Sequence, residues 1–165
     1  MKGQNQKVRE LVGAIVLTTQ DVEQKLKFVT PFISSGNTTM DDMLAHMDKI
    51  QKQTFGYLVG RFLENSKSET DDFEEHCKNL IGIRNGVVHH FSEIYGAEIK
   101  AGKSESVIVT LQRHLTNITY FRDSLAQLAA EILDSLCNIT FRNSPDLKHF
   151  EELRKELELS VAAKK

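Results

Sequence analysis

The sequence predicts an all-α fold, and three observations carry that reading. Apolar residues recur mostly at spacings of three and four, and β-branched alternation is nearly absent. Only 2 prolines occur in 165 residues. Short polar stretches cut the chain into a few long segments. Four long helices joined by short loops, followed by a shorter fifth helix, describe a helical bundle.

The first helix is expected from Gln4 to Pro31, with Val8, Leu11, Val12, Ile15, Val22, Leu26 and Val29 as its apolar stripe. Pro31 is expected to end or bend it, because its ring removes a backbone donor and clashes with the preceding turn. Ser34 to Thr39 reads as a loop. Thr39, with Asp41 and Asp42 behind it, reads as a helix start: acidic groups suit the positive end of the helix dipole. That second helical region runs to Asn65, with room for a break near Lys52. Ser66 to Thr70 is the next loop, and Thr70 caps a third helix that is expected to reach Tyr95. The stretch from Ala97 to Ser106 is expected to be a flexible loop. A fourth helix follows from Val107 to Thr140, with Leu111, Leu115, Ile118, Leu125, Leu128, Ile132 and Leu136 on its buried side. Ser144-Pro145-Asp146 combines an N-cap, a proline at the first helical position and an acid. It opens a fifth helix ending near Leu159, rich in Glu and Lys and expected to lie on the surface or face a partner. Residues 1–140 therefore read as the bundle and 141–165 as a C-terminal helix and tail.

Lys and Arg number 21 against 23 Asp and Glu, a net charge of −2. A strongly basic chain would have argued for nucleic acid on its own; here any such binding must come from a local patch. Cys77 and Cys137 stand far apart, outside any CxxC pattern, and fit a reducing cytosol. The polar N-terminus and the short apolar run Leu11–Leu17 give no signal peptide and no membrane span. The expected setting is cytoplasmic.

The chemistry gathers in Ile83–Phe91, IRNGVVHHF. Glycine in a helix costs roughly 1 kcal/mol relative to alanine, yet Gly82 sits beside this stretch and Gly86 within it, and Gly56 and Gly60 form a second pair four apart. Residues four apart share a face, so close helix packing is the plain reading. The sharper one has Gly86 clearing space for a second subunit or a substrate. On an ideal helix Asn85 and His89 lie about 40° apart, while Arg84 is about 100° from Asn85 and His90 about 100° from His89. Arg84, Asn85 and His89 can thus project from one edge while Ile83, Val87 and Phe91 hold the other in the core. Histidine can move a proton near neutral pH. Arginine can bind a phosphate through two hydrogen bonds and stabilise its transition-state charge. Asparagine can orient either. RNA brings its own nucleophile, the 2′-hydroxyl, so its cleavage needs a base, an acid and a phosphate clamp but no metal. One chain offers only His89 on that edge; two chains meeting along it would bring a second His89, which makes a symmetric dimer a chemical expectation. The plainer alternative is an ion-paired arginine and a satisfied histidine.

Arg84-Asn85-Gly86-Val87-Val88-His89 resembles the RNxxxH form of the Arg-x(4–6)-His motif of HEPN domains. The surrounding layout is similar too: KVRELVGAIVLTTQDVEQKLKFV and TFGYLVGRF precede the motif, FEEHCKNLIGIRNGVVHHF contains it, and a long helix with FRDSLAQLAAEIL follows. The resemblance covers Gln4 to Thr140. It implies a HEPN-like four-helix bundle that dimerises through the motif helix, and a metal-independent endoribonuclease that needs no cofactor. Arg84 and His89 would be catalytic, Asn85 a polar helper, and His90 the reserve assignment for the histidine. The RNA products would carry a 2′,3′-cyclic phosphate and a 5′-hydroxyl. The implied role is a prokaryotic toxin held by an antitoxin protein, or a phage-defence effector. Some HEPN toxins paired with a minimal nucleotidyltransferase carry a modifiable tyrosine two positions after the histidine. Here that position is Phe91, with Tyr95 a turn further on, which weakens pairing with such a partner. The alternative is a non-catalytic HEPN module that binds a nucleotide or a partner such as a nucleotidyltransferase; a third reading is a dimerising scaffold.

Other polar residues read more plainly. His76 and Cys77 would need two more converging ligands to hold a metal. His46 reads as a surface or half-buried histidine, Arg122-Asp123 as a local charge pair, and Lys100 and Lys103 as solvated. Arg113 and His114 could line a cleft and touch phosphate, though solvated or paired positions are the default.

Overall fold

A computed structural model of the chain describes residues 2–34, 39–66, 71–140, 142–143, 145 and 147–162. It is helical, with no strand among the described residues. The elements are α1 (Lys2–Ile33), α2 (Met40–Ile50), α3 (Phe55–Asn65), α4 (Asp71–Val88), α5 (Phe91–Lys100), α6 (Ser104–Ser135), a π turn over Leu136–Thr140, and α7 (Leu147–Ala162).

α1 and α6 form the spine and pack on each other more extensively than any other pair. Ser104 on Asn5, and Arg122 3.9 Å from Asp21, place them in parallel. The predicted stripe of α1 is buried at Val8, Leu11, Ile15, Val22, Leu26 and Val29, and that of the fourth predicted helix at Leu111, Ile118 and Leu125 in α6 and at Leu136 in the π turn. Leu115, Leu128 and Ile132 are only partly buried. α3 adds Phe55, Leu58, Val59 and Phe62, and α4 adds Cys77, Leu80, Ile83 and Val87. Each such side chain taken fully out of water contributes about 1.5–3 kcal/mol, which is why helices of mixed propensity hold together here. The rings of Phe62, Phe73 and Phe121 meet with centroids 6.0–6.5 Å apart and lock α3 and α4 onto α6.

The break near Lys52 is present. Thr39 starts α2 with a reciprocal capping pair to Asp42, and Thr54 starts α3 by accepting from the Tyr57 N–H; each satisfies a backbone donor that the helix cannot. The expected caps at Thr70 and Ser144, and the middles of the loops at 35–38 and 67–70, lie outside the described residues.

Three boundaries differ from expectation. Pro31 does not end α1, which continues to Ile33. The Ser34 N–H (3.1 Å) and hydroxyl (2.7 Å) both donate to the Thr30 carbonyl and close the helix beyond the proline. The third helix does not reach Tyr95: it stops at Val88, and α5 begins after a two-residue turn, His89-His90. The expected loop from Ala97 to Ser106 shrinks to Ala101–Lys103. There Gly102 has φ 76°, the Gly102 N–H donates to Ile99 and the Lys103 N–H donates to Glu98. That is the Schellman arrangement, which ends a helix in the shortest space and favours glycine at the left-handed position.

α7 packs back along the end of α6 and the π turn, and Arg154 pairs with Asp134 at 3.0 Å. None of residues 147–149 and 151–156 is buried, as a surface helix requires. Cys77 and Cys137 are free thiols, both buried. No helix among the described residues is long and apolar enough to cross a membrane.

Candidate active site

The motif sits where α4 ends. Ile83 and Val87 are buried and fix the last turns of the helix, so Arg84, half-buried between them, leaves along a defined edge; Asn85 and His89 are exposed. The His89 N–H donates to the Asn85 carbonyl at 2.9 Å, the last helical hydrogen bond.

Arg84 gathers the three side chains. Its Nη1 lies 3.2 Å from Asn85 Oδ1 and 2.7 Å from His89 Nε2. A guanidinium only donates, so His89 Nε2 accepts in this contact and the neutral ring carries its proton on Nδ1. The structure thus brings together Arg84, Asn85 and His89, with the His89 lone pair taken by an arginine donor.

His90 goes elsewhere. It is the N-cap of α5, with φ −121° and ψ 17°, and it makes no side-chain cap to the backbone. Its Nδ1 lies 3.0 Å from Glu93 Oε2. Ionised glutamate only accepts, so Nδ1 is the donor and Nε2 is the remaining nitrogen. The pair is exposed, at 54% and 76% of the two side chains. Because the helix breaks at this point, ideal-helix angles do not apply to the two rings: their centroids are 6.4 Å apart, at 74°. One chain therefore presents both histidines on the same turn.

Gly86 lies under the start of α5. A Cβ there would meet Ile94 Cδ1 of α5 at 3.0 Å, so α5 folds back over α4 where a side chain is missing. The space cleared by Gly86 is filled by the chain's own next helix rather than by a second subunit or substrate. The other glycines do not mark close packing. A Cβ on Gly56 would make ordinary contact with Ile81 at 3.9 Å, and Gly60 and Gly82 face open space.

α5 is anchored to α6 through Tyr95, which is 8% exposed. Its ring packs on Phe91 at 5.1 Å and its hydroxyl lies 3.2 Å from His114 Nε2. Burial pushes the Tyr95 phenol up. Burial, and then the nearby Arg113, hold the His114 imidazole below its ordinary range. His114 is thus a brace for α5 and not a cleft residue; Arg113 beside it is exposed.

His46 is partly buried, and that burial, with Arg61 and Lys49, holds its imidazole low. His76 packs edge-on to Tyr120 at 6.5 Å, while Cys77 is fully buried in the core. Among the described residues no three His, Cys, Asp or Glu side chains group as a metal site would need. Arg122 pairs with Asp123 at 2.6 Å. Lys100 and Lys103 are exposed.

Sequence reasoning passed over Glu93 and Ile94. The available signal was HHFSE, in which Glu93 stands three residues after His90, the spacing of a helix N-terminus.

No family model, curated protein or solved structure matches the chain. The chemistry of the site has to be read from these side chains.

Proposed function

We propose that this protein is a metal-independent endoribonuclease of HEPN type. It acts as a homodimer whose two Arg84–His89 clusters share one composite site, and it serves as the toxin of a toxin–antitoxin pair or as a phage-defence effector. The observation that carries the reading is the 2.7 Å contact between Arg84 and His89 on an exposed edge. Arg84 supplies a fixed positive fork for a non-bridging phosphate oxygen. His89 Nε2, once Arg84 turns to the phosphate, takes the proton of the 2′-hydroxyl. The 2′-oxygen then bonds to phosphorus and the bond to the 5′-oxygen breaks. A second proton carrier protonates that leaving oxygen. Asn85, held by Arg84, orients the guanidinium or a phosphate oxygen. The dimer and the biological role rest on the resemblance to HEPN domains.

The test is cleavage of RNA in EDTA by the wild type, Arg84→Ala and His89→Ala, with the new ends identified. Loss of a well-placed acid–base group typically removes about 10²–10⁴ in rate. The expected result is loss of cleavage in both variants and cyclic-phosphate ends from the wild type. Ends carrying a 5′-phosphate would rule out attack by the 2′-hydroxyl. Biological effects that survive both substitutions would favour the non-catalytic binding module.

A further inference from the structure

Resting on the nuclease reading, we infer that His90 is the general acid of the same chain, and that Glu93 is its positioning residue. Two histidines in one turn have different partners. His89 offers a lone pair at Nε2, held by a donor-only group at 2.7 Å. His90 is held at Nδ1 by a carboxylate at 3.0 Å, which fixes its ring and leaves Nε2 for the substrate. A carboxylate behind a histidine also compensates the charge of the protonated ring. The first arrangement suits a base and the second an acid. A base and an acid serving two oxygens in line across one phosphorus must stand apart, each within about 3 Å of its own oxygen. Ring centroids 6.4 Å apart fit that need.

The proton count closes. The 2′-O–H proton passes to His89 Nε2 as the O2′–P bond forms. The P–O5′ bond breaks and His90 Nε2 gives its proton to O5′. The chain is then left with His89 protonated and His90 neutral, and exchange with water restores both. Glu93 accepts the Nδ1–H throughout and never changes charge. His90 is the N-cap of α5 and Glu93 lies in its first turn, and Ile94 of the same helix lies over Gly86. The short fold-back after the motif therefore creates the acid.

The experiment uses the full chain, end-labelled RNA of mixed sequence, and a matched RNA in which sulfur replaces one bridging 5′-oxygen. A thiolate leaves without a proton, so this linkage needs no acid. His90→Ala is expected to lose about 10²–10⁴-fold on the oxygen linkage and to recover on the sulfur linkage, whereas His89→Ala stays inactive on both. Glu93→Ala is expected to lose about 10–100-fold, by analogy with carboxylate partners of metal-bound histidines, and to recover on sulfur. Full activity of His90→Ala and Glu93→Ala beside an inactive His89→Ala would overturn the inference and leave the nuclease reading intact, with a second copy's His89 as the acid. Absence of any cleavage by the wild type would overturn both. Ring-nitrogen NMR tests the dyad without activity: His90 is expected to carry its proton on Nδ1 when neutral, and to lose that preference in Glu93→Ala. A neutral His90 protonated on Nε2 in the wild type would overturn the inference by itself.

Discussion

Replacing Gly60 with alanine should stabilise the chain. Gly60 lies in the middle of α3, and a Cβ there meets nothing within 4 Å. Alanine therefore brings its helix-propensity advantage, about 0.8–1 kcal/mol, with no steric cost to offset it. In a chain of this size that corresponds to a rise in Tm of about 2–4 °C. Urea unfolding should show a higher midpoint with an unchanged slope, since neither compactness nor exposed area changes. A fall in stability would refute the reasoning, because it would mean that something packs on this helix face in solution. Gly86→Ala provides the internal contrast. Its Cβ would sit 3.0 Å from Ile94 Cδ1, and moving that half-exposed side chain off its rotamer costs about 0.5–1.5 kcal/mol, which cancels most of the gain. Gly82 also faces open space, but it lies on the exposed side of α4 near Asn85. There the same substitution reads the dimer: a gain for the lone chain, and a loss that grows with protein concentration where a second copy covers the face.

Two further expectations concern titratable groups. Burial pushes the Cys77 thiol up to about 11 and leaves the side chain fully buried, so little thiolate forms at neutral pH and reagent cannot reach it. Ellman's reagent should label no thiol of the native chain, because Cys137 is buried too; labelling at the rate of a free cysteine would contradict this. The His114 imidazole is held below its ordinary value of 6.5. On acidification the unfolded chain binds that proton before the folded one does. Stability is therefore present above about pH 6.5 and is lost as pH falls from there towards the folded value, with no further loss below it. Urea midpoints measured across this window should fall less steeply in His114→Gln than in the wild type. His46 acts with the same sign and is common to both proteins, so an unchanged slope would mean that His114 is not buried.

The long apolar stripes of α1 and α6 were legible because each keeps helical spacing over many turns and nothing local competes with it. Thr39 was legible from its own cap chemistry. The turn at His89-His90 was not, because Leu80, Ile83, Val87 and Phe91 keep helical spacing straight through it. What breaks the helix there is tertiary: Ile94 lies over Gly86, and Tyr95 docks on His114, contacts that no local pattern reveals. The stretch after Ala97 looked like a loop because it is polar, yet Ala, Glu, Ile and Lys are adequate helix formers and only Gly102 punctuates them. The cluster of Arg84, Asn85 and His89 was legible from residue type and spacing. The separate orientation of His90 was not, because it depends on where α5 begins.

The parallel pairing of α1 with α6 bears on how the chain is made. Ser104 meets Asn5 across a separation of 99 residues, so the partner of the first helix is synthesised long after it. At typical rates of about 5–20 residues per second, the apolar stripe of α1 waits about 5–20 s on the ribosome before α6 can cover it. Until then only α2, α3 and α4, which also pack on α1, shield part of that stripe, and the side that α6 takes stays open to chaperones or to another nascent chain. Although every element in it is a helix, the spine is a contact of high sequence separation, which slows folding relative to a bundle of local pairs.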